Sequence, residues 1–181
     1  MRRNLVYLTY MAVLITFAVV IHTVEAALPL PMPVPGVRLG LANIITLLTI
    51  VLYGWRSGLL VAVLRTLLGS FFSGTFLSFG FWLSLSGGVL SCLVMALGIL
   101  FVKRGAISLL SVSVLGAAAH NLGQVAAASL IVANFTLLRG YFPLLLLLAV
   151  PTGIFTGLAA HYLEGITRRV LYQAGGAGVA R

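Results

Sequence analysis

Apolar stretches long enough to cross a bilayer follow one another along nearly the whole chain, joined by short polar or proline-bearing segments. That pattern leaves little choice of fold. Lipid offers no partner to a free backbone N–H or C=O, so such a chain folds as helices that satisfy their own hydrogen bonds. Charged residues make up 7% of the sequence and hydrophobic ones 61%, with a mean hydropathy of +1.19. A soluble domain averages about 25% charged residues and could not be covered with so few. At about 20 residues per span, a chain of 181 residues holds about five to seven spans and no sizeable extramembrane domain.

The apolar runs predict an all-α integral membrane protein of six transmembrane helices, at Leu5–Leu28, Leu39–Tyr53, Ser57–Phe72, Phe79–Val102, Ala106–Ala133 and Tyr141–Leu163. Residues 1–170 form one transmembrane domain, and 171–181 are expected to be a flexible tail. Gly54-Trp55-Arg56-Ser57-Gly58 reads as the tight turn between the second and third helices. Loop charges set the orientation. With the N-terminus inside, Arg2, Arg3, Arg56, Lys103, Arg104, Arg168, Arg169 and Arg181 all fall on the cytoplasmic side, and the outer loops keep Arg139, with Arg38 at the start of the second helix. Six spans therefore place both termini in the cytoplasm and satisfy the positive-inside rule at every turn. The basic start, apolar stretch and Val24-Glu25-Ala26 also resemble a cleavable signal, but the run is long for one and is read as a retained span.

The formal charge of +9 suggests nucleic acid in a soluble protein; here the basic residues sit singly or in pairs at segment ends, which fits membrane orientation and no nucleic-acid partner. Arg65 is the exception. It lies in the middle of the third apolar run, about 12 Å from its inner end, where a guanidinium costs about 3 kcal/mol to insert. Such a charge faces a partner, a cavity or a ligand. Partners are few, because the chain has no Asp and its two acids are Glu25 and Glu164. Glu25 lies near the outer end of the first helix, and Arg38 and Asn43 lie near the outer end of the second. His120, Asn121 and Gln124 lie in the outer half of the fifth, with His120 and Gln124 four apart on one face. The depths agree, and they point to a site open to the outside. Glu25 and Arg38 could equally form a structural ion pair, and the fifth-helix residues could be interhelical glue. His22 and His161 read as interfacial and receive no role.

The loop Pro29–Gly36 holds four of the six prolines and reads either as a stiff linker or as a gate over that site. Gly36 and Gly40 form a small-xxx-small pair suited to close helix packing. Several reaction classes are excluded by content. There is no phosphate-binding glycine loop followed by Lys, no paired carboxylates, no HExxH, and no Asp for an Asp-rich magnesium site. Cys92 stands alone, so neither an internal disulfide nor a CxxC site exists. No catalytic residue, metal site or cofactor is expected.

Four segments carry a family resemblance: Pro35-Gly36-Val37-Arg38-Leu39-Gly40-Leu41-Ala42-Asn43; Leu64-Arg65; Ser86-Gly87-Gly88 running to Ser91, Val94 and Met95; and Gly116-Ala117-Ala118-Ala119-His120-Asn121-Leu122-Gly123-Gln124. On these the chain resembles, from about Leu5 to Leu163, the Gx transporter family, also labelled heptaprenyl diphosphate synthase component I. That family is similar to the substrate-binding S components of energy-coupling-factor importers, six-helix proteins of the bacterial cell (inner) membrane. The resemblance implies a small-molecule ligand related to a vitamin, flavin or isoprenoid, and as partners a transmembrane coupling subunit and cytosolic ATPases. S components often dock the coupling subunit through an AxxxA patch on the first helix, for which Ala12 and Thr16 are the nearest match here. The implied ligand-binding set is Glu25, Arg38, Asn43, Arg65, His120, Asn121 and Gln124. The synthase label implies instead a non-catalytic membrane accessory to prenyl-diphosphate or quinone synthesis, and a subunit of a membrane redox complex is a third possibility.

Overall fold

The computed structural model describes residues 2–28 and 36–175; the proline segment from Pro29 to Pro35, expected to form most of the gate, lies outside the described residues. Six helices follow in order: α1 (Arg2–Ala27), α2 (Asn43–Tyr53), α3 (Trp55–Phe72), α4 (Phe79–Lys103), α5 (Leu109–Ile131) and α6 (Thr136–Gly175). The protein is all-α, and the described residues contain no strand. Five of the helices are long and apolar enough to cross a membrane; α2 is not.

That exception organises the bundle. At 11 residues α2 is only about 16 Å long, half a bilayer. Every residue of it from Asn43 to Ile50 is buried, as expected of a helix apolar on all faces, and it touches each of the other five. The second span was expected to be helical from Leu39. Instead Val37–Gly40 is non-helical, and α2 begins only at Asn43. Gly36 and Gly40 therefore do not pack one helix on another. Both have left-handed backbone, with φ of +84° and +81°, and they bend the chain into the bundle ahead of α2. Irregular backbone at this depth is tolerated only where protein groups satisfy it, and they do so here.

Other boundaries shift for physical reasons. Gly54 alone, at φ +88°, separates α2 from α3, so the expected five-residue turn shrinks to one residue. Gly58 belongs inside α3, where a Cβ would come 2.3 Å from Ile50 Cγ1; its smallness lets α3 lie against α2. The fifth helix starts at Leu109, three residues later than expected, because Ser108 caps it by accepting from Ser111 N at 3.1 Å. The sixth is far longer than its apolar run. It starts at Thr136, whose N–H donates to Asn134 Oδ1, absorbs Pro143 and Pro151, and runs on through an exposed Glu164–Arg168 pair.

α5 packs broadly between α4 and α6, while α1 and α4 flank α3. The α4–α5 seam is closed by glycine. A Cβ on Gly123 would come 2.9 Å from both Gly87 Cα and Ser86 O, which are backbone atoms that cannot turn aside. Gly123→Ala is therefore expected to lower stability by about 2 kcal/mol, read as a depressed thermal midpoint in detergent. An unchanged midpoint would show that the seam opens freely. Outward, the molecule shows apolar side chains throughout, among them Phe17, Leu97, Leu130, Leu147 and Leu158, with Trp55 and Trp82 towards opposite ends. This is the surface of a multi-pass membrane protein.

Candidate polar site at the broken second span

The backbone ahead of α2 is held by side chains from distant helices. Ala42, which precedes the helix, has no side chain able to cap it. Asn43 N and Ile44 N donate instead to Gly40 O and Leu41 O, and Glu25, at the last turn of α1, holds that turn from outside: its carboxylate accepts from Gly40 N at 2.7 Å and from Leu41 N at 3.2 Å. A negative charge in the turn just ahead of a helix start both accepts these backbone donors and faces the positive end of the helix dipole. From α5, Gln124 clamps Arg38 at two points, its Oε1 accepting from Arg38 N at 2.7 Å and its Nε2 donating to Arg38 O at 2.8 Å. The amide thus replaces the strand neighbour this segment lacks.

The guanidiniums sit on either side of this segment. Arg38 extends to His22 Nε2 on α1. A guanidinium only donates, so Nε2 is the acceptor and His22 is neutral with its proton on Nδ1. Arg65, 2% exposed, donates from Nη2 to Asn43 Oδ1 at 2.7 Å, tying the centre of α3 to the first residue of α2. The space for it comes from Gly88 on α4, where a Cβ would come 3.1 Å from Nη2. His120 occupies the hollow beside Gly40 and Gly87; a Cβ on Gly40 would come 2.7 Å from His120 Cδ2. Glycines from two of the sequence segments that carry the resemblance, Gly40 in one and Gly87 and Gly88 in the other, therefore make room for the same cluster.

Sequence reasoning placed Glu25, Arg38, Arg65 and His120 together, and all four line one small space with His22, Gly40 and Ser84. Asn43 and Gln124 stand at its edge as supports, bonded to Arg65 and to the Arg38 backbone. Asn121 is not part of it. One position along from His120, it points elsewhere and donates to Leu145 O on α6 at 2.6 Å, as an interhelical tie. The alternative of a Glu25–Arg38 ion pair is not realised: among the described residues the one ion pair is Glu164–Arg168, and the Glu25 carboxylate is turned to backbone N–H groups. His22 and Ser84 were missed. His22 is 3% exposed, not interfacial, and its spacing of three from Glu25 puts both on one face of α1, a signal legible in advance. Ser84 carried no such signal.

Three residues lining the space carry polar atoms with no hydrogen-bond partner among the described residues: Arg65 Nε, Ser84 Oγ and both ring nitrogens of His120, whose Nδ1 edge lies against Gly87. Buried polar atoms are nearly always paired, so orphans on three residues around one space set this cluster apart. In this conformation the space between them admits no water-sized sphere. Two guanidiniums against one carboxylate leave it positive. Every element end around it lies opposite the basic ends at Arg56 and Lys103, so positive-inside orientation places it on the outer side.

A family model described as heptaprenyl diphosphate synthase component I matches residues 14–163. The match takes in every residue of the site and all of α2 to α5. Comparison with curated proteins and with solved structures gave no significant match.

Proposed function

The chain belongs to the heptaprenyl diphosphate synthase component I family, and from that premise we propose that it is a substrate-binding membrane subunit of an energy-coupling-factor type importer, working without catalysis of its own. The observation that carries this reading is the buried, positively charged set of unpaired groups below the outer membrane surface, at the break in α2. Half-helices whose N-terminal ends and irregular backbone meet at a polar centre are how membrane transport proteins build binding sites at depth. Arg65 with His120 would meet the polar part of a small vitamin-, flavin- or isoprenoid-related molecule. Arg38, Asn43, Glu25 and Gln124 would hold the backbone and the guanidiniums in place, and Asn121 would fix α5 to α6.

Partner docking would use α1, where Ala12 and Thr16 both face outward and Thr16 Oγ1 donates back to Ala12 O at 2.9 Å, a small-residue spot flanked by exposed Leu8, Val13, Phe17 and Val20. Affinity capture from native membranes tests the assignment: a transmembrane coupling protein and ATPases should be recovered. Ala12→Leu with Thr16→Leu should lower that recovery about tenfold while stability stays within about 0.5 kcal/mol, because both sites are exposed. Capture of a soluble Asp-rich prenyl synthase in place of ATPases would sink the importer reading. It would establish the second one, which rests on the name of the matched family: a membrane accessory of heptaprenyl diphosphate synthesis.

A further inference from the structure

We infer that the ligand of this site presents one monoanionic group of the carboxylate class, gripped by Arg65, Ser84 and His120. The inference rests on the site being a ligand site, as proposed above, and it comes from charge and donor count. The charged groups lining the space are Arg38, Arg65 and Glu25. Arg38 and Arg65 are cationic, His22 is held neutral by accepting from Arg38, and Glu25, whose two oxygens each accept a backbone N–H, is taken as the one negative charge. The surplus is a single positive charge. Buried charge at membrane depth is costly unless balanced, so the fitting ligand group brings one negative charge.

The unpaired groups agree with the charge count. Arg65 Nε–H, the Ser84 hydroxyl and one N–H of His120 are three donors from three helices, each on a side chain only 2% exposed. Two carboxylate oxygens have lone pairs enough for all three. A cation would meet donors and a like charge. A neutral ligand would leave the surplus unbalanced. A phosphate monoester, close to dianionic at neutral pH, or a diphosphate would overshoot, with no further cation lining the space to meet the excess.

The test uses purified protein and three probes, benzoate, inorganic phosphate and pyrophosphate, against chloride at matched ionic strength, with the thermal midpoint as readout. Benzoate at saturation should raise the midpoint by about 4 °C or more, and phosphate and pyrophosphate should do no more than chloride. Ser84→Ala, which removes a hydroxyl that has no partner among the described residues and so leaves the fold intact, should cut the benzoate shift to under half. Glu25→Gln raises the surplus to two charges and should turn the preference towards phosphate. A purely structural role for Glu25 does not produce that inversion, and the wild-type and Ser84→Ala results decide the question even where Glu25→Gln fails to fold. If phosphate or pyrophosphate stabilises the wild type as much as benzoate does, and Ser84→Ala weakens that effect, the carboxylate class is wrong and the ligand site stands. If no probe exceeds chloride, or no shift responds to Ser84→Ala, the inference and the ligand-site reading fall together.

Discussion

Arg65→Met is expected to abolish ligand retention and leave the bundle about as stable as the parent. The two readouts separate because Arg65 is expensive where it sits. A guanidinium at the centre of a membrane helix costs about 3 kcal/mol to place. Its one hydrogen bond in the described structure, to Asn43 Oδ1 at 2.7 Å, returns about 1.5–3 kcal/mol. Met is flexible and uncharged, though two atoms shorter, and replacing buried charge by apolar volume is often neutral or stabilising. Against that gain stands the orphaned Asn43 oxygen, at about 1–3 kcal/mol, so the net change in stability should lie within about 1 kcal/mol of zero. Binding has no such compensation. Loss of a charge-assisted contact to a buried anion costs about 3 kcal/mol or more, about a hundredfold in affinity. The check is paired: mass-spectrometric quantification of small molecules carried through purification, and thermal unfolding of the same samples. A variant that unfolds at much lower temperature would make Arg65 a structural residue after all.

What the sequence discloses here is whatever depends on local composition. Hydropathy finds six segments because lipid-facing side chains must be apolar wherever the helix runs, and the scatter of Arg and Lys orients them for the same reason. Arg65 is conspicuous because nothing near it in sequence excuses its charge. The features that escape depend on residues far apart. Leu39 to Ala42 is as apolar as the helix it precedes, and no window over it shows that Glu25 and Gln124 will take its backbone groups; the Gln124–Arg38 bonds join residues 86 apart. Asn121 illustrates the opposite error. It adjoins His120 in sequence, but one step along a helix turns a side chain by about 100°, which delivers it to α6. The end of α6 escapes for a third reason. Past Leu163 the helix leaves the apolar run, and its continuation is carried by helix-forming polar residues and the Glu164–Arg168 pair, to which a hydropathy scan is blind.

The non-helical segment also sets the second large effect. Gln124→Ala should cost about 4 kcal/mol of stability, and it should open the site. Both follow from one amide. With Gln124 gone, Arg38 N–H and C=O each lose their partner at 2.7 and 2.8 Å, and two orphaned backbone groups cost about 1–3 kcal/mol apiece. Water would have to enter to satisfy them, and the water-tight space beneath Gly40 would be breached. Labelling reads this directly. Cys92 is the one native thiol and is buried, so Ser84→Cys in a Cys92→Ala background reports on the space alone. In the parent background, the thiol should react slowly with a membrane-impermeant reagent applied from outside, because the space admits nothing as large as water. Adding Gln124→Ala should speed the reaction about tenfold or more. Gln124→Glu separates the two halves of the clamp, since it keeps an acceptor for Arg38 N and removes the donor to Arg38 O, and it should fall between the two. Equal labelling rates in all three would mean that the segment is held from elsewhere, with Glu25 at Gly40 and Leu41 the remaining candidate. A graded response would make the clamped backbone ahead of α2 the part that must lift before any ligand reaches Arg65.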